Sequence, residues 1–157
     1  VEQSPENITI TNLDAIIEYA NEALVHNSGY IREQLIGRNP RILQSGKTPR
    51  ETYDDLWNTL IHGRTWKGEF INRRRNGSEY VAFAVISPLR QPDGRITHYV
   101  AVMENITEKK RMGEELDRHR RQLEELAVSR VAELAAASDA TEAANPHQEF
   151  LSGQPEP

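Results

Sequence analysis

Two turn signals constrain this chain more than any other feature. Asn76-Gly77 and Pro92-Asp93-Gly94 separate three apolar-rich runs, residues 66–73, 80–89 and 96–105. Asn-Gly is a favoured dipeptide for a tight hairpin turn. Pro-Asp-Gly combines a fixed φ, a side-chain acceptor and a residue free to turn left-handed. Connections this short join only antiparallel neighbours, so the three runs are expected to form a meander. The run Tyr80 to Leu89 is almost wholly apolar, which predicts a central strand covered on both faces.

Upstream, Ile8-Thr9-Ile10-Thr11 alternates apolar and polar, Asn12-Leu13-Asp14 supplies turn residues, and Ile16-Ile17-Glu18-Tyr19 reads as a second short strand. A hairpin follows from that pattern. Residues 21–44 suit short helices broken by Gly29 and Gly37. Thr48-Pro49-Arg50-Glu51 predicts a helix start, with Thr48 as cap, Pro49 at the first helical position and Glu51 closing a capping box. The helix after it should turn Tyr53, Leu56, Trp57, Leu60 and Ile61 to one side and end at His62-Gly63, where glycine supplies a left-handed cap.

From Glu108 to about Ala144 there is no proline, and the only glycine is Gly113. Glu, Arg, Leu and Ala dominate, and all favour helix. Leu116, Leu123, Ala127, Val131, Leu134 and Ser138 step by sevens, fours and threes. This is a thin apolar seam that drifts between Leu123 and Leu134, as a coiled coil with a register defect does. A helix with so narrow an apolar face wants a partner, so homodimerisation is expected. The tail from Pro146 carries two further prolines and is expected to be disordered. The chain thus divides into residues 1–107, a helix over 108–145 and a tail over 146–157. Val1 is not a methionine, so the chain is expected to be part of something longer.

The net charge of −5 argues against a nucleic-acid partner, since phosphate contact needs a basic face. The chain has no cysteine, which excludes disulfides and thiolate metal sites. No apolar run is long enough to span a bilayer and no secretory signal opens the chain. The expectation is therefore cytoplasmic, with no direct membrane insertion. An enzyme is not expected. Asp54 and Asp55 are adjacent and point to different sides of their helix, and Ser45-Gly46-Lys47-Thr48 lacks the earlier glycine of a phosphate loop, that place being Arg41. Arg73-Arg74-Arg75 before the hairpin tip reads as solvated surface.

Gly37-Arg38-Asn39-Pro40-Arg41-Ile42-Leu43-Gln44 resembles the light-oxygen-voltage (LOV) signature glycine-x-asparagine-cysteine-arginine-phenylalanine-leucine-glutamine, with Pro40 in place of the photoreactive cysteine. Trp66-Lys67-Gly68-Glu69 and Asn72-Arg73-Arg74-Arg75-Asn76-Gly77 follow in the order that the PAS superfamily shows. Residues 1–108 therefore resemble a PAS domain. The resemblance implies an α+β PAS fold, a five-stranded antiparallel sheet with short helices on one face, followed by a long C-terminal coiled-coil helix.

The same resemblance implies a flavin site, FAD or FMN. Asn39 and Gln44 would touch the ring, Arg41 the phosphate and Asn72 the ring's polar edge. Ala82 stands where a second asparagine would be, and Met103 replaces a glutamine on the last strand. A covalent photoadduct needs a thiol, so the pattern is closer to redox-sensing flavin PAS domains, which share the Trp66-x-Gly68 wording. The plainer alternatives are that Trp66 only packs and Asn39 only caps a short helix. Haem fits less well, because its best ligand, His62, sits at a helix C-terminus, where a histidine suits the dipole. No two histidines have metal-ligand spacing.

Glu104-Asn105-Ile106-Thr107 resembles the aspartate-isoleucine-threonine hinge between a PAS core and its output helix. Asn105 replaces the aspartate, so a neutral hydrogen bond is expected in place of an ion pair to Lys109 or Arg111. The helix after it resembles the signalling coiled coil that precedes histidine kinase domains, and Glu149-Phe150-Leu151 resembles the approach to a phosphoacceptor helix, but no phosphoacceptor histidine follows. The resulting expectation is a dimeric sensory module passing ligand or redox state to an output domain such as a histidine kinase. Its rival is a cofactor-free PAS scaffold that only dimerises.

Overall fold

The computed structural model describes residues 6–143. In chain order they form strand β1 (Asn7–Asn12), β2 (Ile17–Ala20), helices α1 (Glu22–Ser28) and α2 (Arg32–Leu35), a 3-10 turn (Pro40–Leu43), α3 (Arg50–Ile61), strands β3 (Trp66–Arg73), β4 (Glu79–Arg90) and β5 (Ile96–Asn105), and the long helix α4 (Thr107–Ala143). The chain divides into two units, residues 1–110 and 111–157. The expected tail lies outside the described residues.

The five strands make one antiparallel sheet in the order β2-β1-β5-β4-β3. The meander and the opening hairpin are both present. The expected centre is corrected: β5 is the middle strand, because β1 pairs with it from Asn7↔Met103 to Asn12↔His98 while β4 pairs with its other edge. Strand β4 is apolar on both faces without being covered on both. Tyr80, Ala82 and Ala84 are buried on the inner face, whereas Phe83 on the outer face is 36% exposed.

Two apolar clusters fill the inner side. One joins Leu56 and Leu60 of α3 to Trp66, Phe70, Tyr80, Ala82, Ala84 and Met103 of the sheet. The other joins Ile17 and Ala20 of β2 to Leu24, Leu35 and Leu43 of the short helices. Asn21 ties the second cluster to β1. Its side-chain oxygen accepts the N–H of Leu24, capping α1, and that of Ile8 (3.1 and 3.0 Å), while its amide donates to the Glu6 carbonyl.

The start of α3 also needs correction. Pro49 occupies the cap position with no side-chain cap, and Thr48 turns the other way. The Thr48 hydroxyl accepts the Ile71 N–H at 2.8 Å, filling a bond that β3 lacks on its outer edge. Cross-strand demand for an acceptor has outcompeted local capping. The apolar stripe of α3 is narrower than its spacing suggested, since Leu56 and Leu60 are buried but Ile61 is 70% exposed. The helix does end at His62 with Gly63 at φ 72°.

Candidate functional site

Between the sheet and α3 lies a cavity of about 360 Å³, within the range of small-molecule sites. The segment carrying the glycine-x-asparagine signature forms one wall because β2 and β3 hold it from both ends. Gly37 N–H donates to Ile17 O and Ile17 N–H to Arg38 O, both at 2.8 Å. At the other end Gln44 makes an isolated antiparallel bridge to Asn72. Between these anchors Asn39 accepts the Arg41 N–H (3.0 Å) and so starts the 3-10 turn. Asn39 therefore both caps and lines the cavity. Pro40 lines it too, at the position where the LOV signature carries its thiol.

Of the residues singled out in the sequence, Asn39, Arg41, Gln44, Asn72 and Met103 come together on this lining. They differ in depth: Asn72 (5% exposed) and Met103 (7%) are buried, whereas Arg41 and Gln44 are exposed. The site is thus apolar along its walls, through Leu43, Leu56, Leu60, Phe70 and Ile86, with polar groups at the buried end and a cation at the exposed one.

Trp66 and Ala82 do not join the lining. Trp66 is core: its indole N–H donates to Asp55 at 2.9 Å, and its ring stacks on Phe70 at 5.1 Å between centroids. The tryptophan-x-glycine wording then has a packing cause, because the Trp66 ring lies across Gly68 where any β-carbon would meet it at 2.3 Å. Asp55 has a task after all, as acceptor for that indole and not as half of a carboxylate pair. Ala82, 1% exposed, is packed in the same cluster.

Thr9 and Thr11 are cavity residues that the sequence did not reveal. They are buried (3% and 7% exposed) and line the cavity from β1, while Ile8 and Ile10 face outward and are half-buried. Alternation gives the period but not which face is inside, and here the polar face is the inner one. Trp57, 40% exposed, and Tyr99 also line the cavity and meet edge to face at 6.0 Å.

Behind the buried end stands Tyr80, whose hydroxyl is the one buried side-chain polar atom without a hydrogen-bond partner among the described residues. Burial pushes its phenol above the ordinary value of 10.0, opposed by the neighbouring Asn72 amide and Arg74 guanidinium. The amide is thus near the hydroxyl but not at hydrogen-bonding geometry. Arg74 is not merely solvated: it lies 4.7 Å over the Tyr80 ring and donates to the Asn27 carbonyl. The exposed His62 donates from Nδ1 to the Asn58 carbonyl, and no metal-binding cluster of His, Asp or Glu exists among the described residues.

Met103 is followed directly by the exit into α4. Ile106 N–H donates to Val81 O, and Val81 N–H donates to the Thr107 hydroxyl, both at 2.8 Å. The first turn of α4 thereby completes the β4 ladder. Asn105 accepts the Thr107 N–H at 3.0 Å. Asn105 thus makes a neutral hydrogen bond, here to the Thr107 backbone, while Glu104 pairs with Lys109 (2.5 Å) and Glu69 of β3 with Lys110 (2.7 Å). The charge has moved to the neighbouring positions.

The family model described as PAS domain matches residues 5–108, and the chain belongs to that family. A nitrogen fixation regulatory protein of Klebsiella oxytoca is 41% identical over 107 residues, 68% of this chain and 22% of the relative. The aerotaxis receptor of Escherichia coli is 31% identical over 101 residues, 64% of this chain and 20% of that protein. The chain thus spans about a fifth of the length of these relatives. Among solved structures, the light-state LOV domain of the blue-light photoreceptor Aureochrome1 is 28% identical with a TM-score of 0.62, covering 71% of this chain and 91% of that one. No helix of the described residues is long and apolar enough to cross a membrane.

Proposed function

We propose that residues 1–107 are the sensor of a longer, cytoplasmic signalling protein and that the cavity holds a flavin, FAD or FMN. A single observation carries the reading: Asn39, Arg41, Gln44 and Asn72 converge, with Thr9 and Thr11, on one cavity whose other walls are mainly aliphatic and aromatic. A flat ring with a polar edge needs apolar faces, a buried partner for the edge and a cation near its phosphate. The buried Asn72, the apolar side chains around it and the exposed Arg41 meet those needs. Such a group, when bound, supplies reversible electron uptake. The protein's own part is to hold the ring through Asn39, Gln44 and Asn72, and the phosphate through Arg41, while Met103 reports from β5. Pro40, lacking a thiol, leaves only non-covalent contact at its position.

The signal leaves through Glu104, Asn105, Ile106 and Thr107, because a shift of β5 at Met103 must disturb bonds that start two residues later. The helix α4 then changes its packing against the same helix of a second copy and drives an output domain such as a histidine kinase in a two-component system. Exposed Leu116, Leu123, Val131 and Leu134 support the pairing. Pairing alone would equally serve a cofactor-free scaffold.

The absorbance spectrum of freshly purified protein tests the reading. Bands near about 370 and 450 nm that pass into the heat-released supernatant support it, with loss expected on Asn72→Ala. A protein-only spectrum that stays so after incubation with FAD and FMN refutes the flavin and leaves the scaffold.

A further inference from the structure

We propose that Tyr80 is a positioning residue for the cavity, its hydroxyl selecting which end of the Asn72 amide meets a ligand. This rests on the ligand-binding reading above. Asn72 and Tyr80 are direct cross-strand partners of β3 and β4, and both are buried, at 5% and 2% exposed. Asn72 lines the cavity and Tyr80 stands behind it.

The ring of Tyr80 is buried and capped on one face. Arg74 covers it at 4.7 Å and is itself held by the Asn27 carbonyl (3.1 Å) and the Ser78 hydroxyl (3.1 Å). The hydroxyl is nonetheless without a partner. A fixed, buried and unpaired hydroxyl beside an amide that faces a cavity is an arrangement waiting for the amide to turn, since a buried polar group is normally bonded. The Asn72 side chain neighbours the phenol and the terminal torsion of asparagine is soft, so the amide is free to turn toward the hydroxyl. Burial holds the phenol protonated, and a hydroxyl both donates and accepts.

Either end of the amide can therefore be taken. With the Asn72 carbonyl bonded to the Tyr80 O–H, the amide N–H₂ is left for an acceptor on the ligand. With the N–H₂ donating to the Tyr80 oxygen, the amide carbonyl is left for a ligand N–H. The pair suits a planar heteroaromatic ligand whose edge nitrogen gains and loses a proton, because one site then accommodates both forms.

The test compares the wild-type chain, Tyr80→Phe, Asn72→Ala and the double variant, with FAD as the probe in a fluorescence titration. Tyr80→Phe is expected to weaken FAD about 5- to 10-fold and to shift its visible band, with no further weakening in the Asn72→Ala background. Equal weakening in both backgrounds, or none with Asn72 present, overturns the proposal. Without ligand, Tyr80→Phe should melt at the wild-type temperature or above it, since only an unpaired hydroxyl is lost; a lower midpoint assigns the hydroxyl to the fold and overturns it. If the wild-type chain takes up no FAD, the flavin reading falls separately. The pairing is then decided by ¹⁵N NMR with lumichrome, a bare flavin ring, as the probe: shifts of the Asn72 side-chain amide in the wild type that are lost in Tyr80→Phe uphold it, and equal shifts in both chains, or none in the wild type, overturn it.

Discussion

The Trp66 ring occupies the space above Gly68 so fully that a β-carbon at position 68 would lie 2.3 Å from the ring's Cζ2. The two residues share a face of β3, and the close approach lets the indole N–H reach Asp55 on α3. Gly68→Ala should push the ring off this bond and cost about 1–3 kcal/mol, the usual range for overpacking a core. Urea unfolding followed by Trp fluorescence would measure it. An unchanged midpoint would show that the ring has room to move.

Thr48 serves β3 instead of capping α3. Thr48→Val keeps the shape and leaves the Ile71 N–H without its 2.8 Å acceptor, so a loss of about 1–3 kcal/mol is expected. Thr48→Ser should recover most of it. Hydrogen exchange at the Ile71 amide separates this from a capping effect, which would instead speed exchange in the first turn of α3.

At the exit, Thr107→Val removes the acceptor of the Val81 N–H. A destabilisation of about 1–3 kcal/mol is expected, with faster exchange at Val81. Glu104→Gln breaks a pair whose partners are substantially exposed, so no more than about 1 kcal/mol should be lost, and less at high salt. A larger effect of Glu104→Gln than of Thr107→Val would reverse this ranking of the two contacts.

Tyr80 contributes to the alkaline behaviour. Its phenol is raised above 10.0 in the folded chain by burial, so on passing pH 10 the unfolded chain releases this proton first. The unfolded state then binds fewer protons than the folded one, and stability falls with rising pH. The contribution is complete below pH 10 and is lost above it. Stability measured from pH 8 to 11 should fall less steeply in Tyr80→Phe than in the wild type, and parallel curves would mean that Tyr80 titrates normally.

The seam of α4 is exposed at Leu116, Leu123 and Leu134 (68%, 52% and 69%). If it pairs with a second copy, Leu123→Glu should convert a sedimenting dimer to monomer at micromolar concentration, because a buried carboxylate is costly. A dimer that survives the change would place the interface elsewhere.

The sequence by itself determined the local structure. Asn76-Gly77 and Pro92-Asp93-Gly94 specified a meander, Gly63 ended α3, and a long run without proline specified α4, because turns, caps and helix propensity act over a few neighbouring residues. The family resemblance singled out seven residues, of which Asn39, Arg41, Gln44, Asn72 and Met103 meet on one cavity lining and Trp66 and Ala82 do not. Only the tertiary structure decided that β5 is central, that Thr9 and Thr11 face the cavity, that Thr48 serves β3, that Trp66 packs against Gly68 and Asp55, and that Tyr80 keeps an unpaired hydroxyl. Each of these turns on a partner far away in the chain. An alternating strand offers two faces and a threonine several possible acceptors or donors, and the choice is made by what the other strands bring beside them.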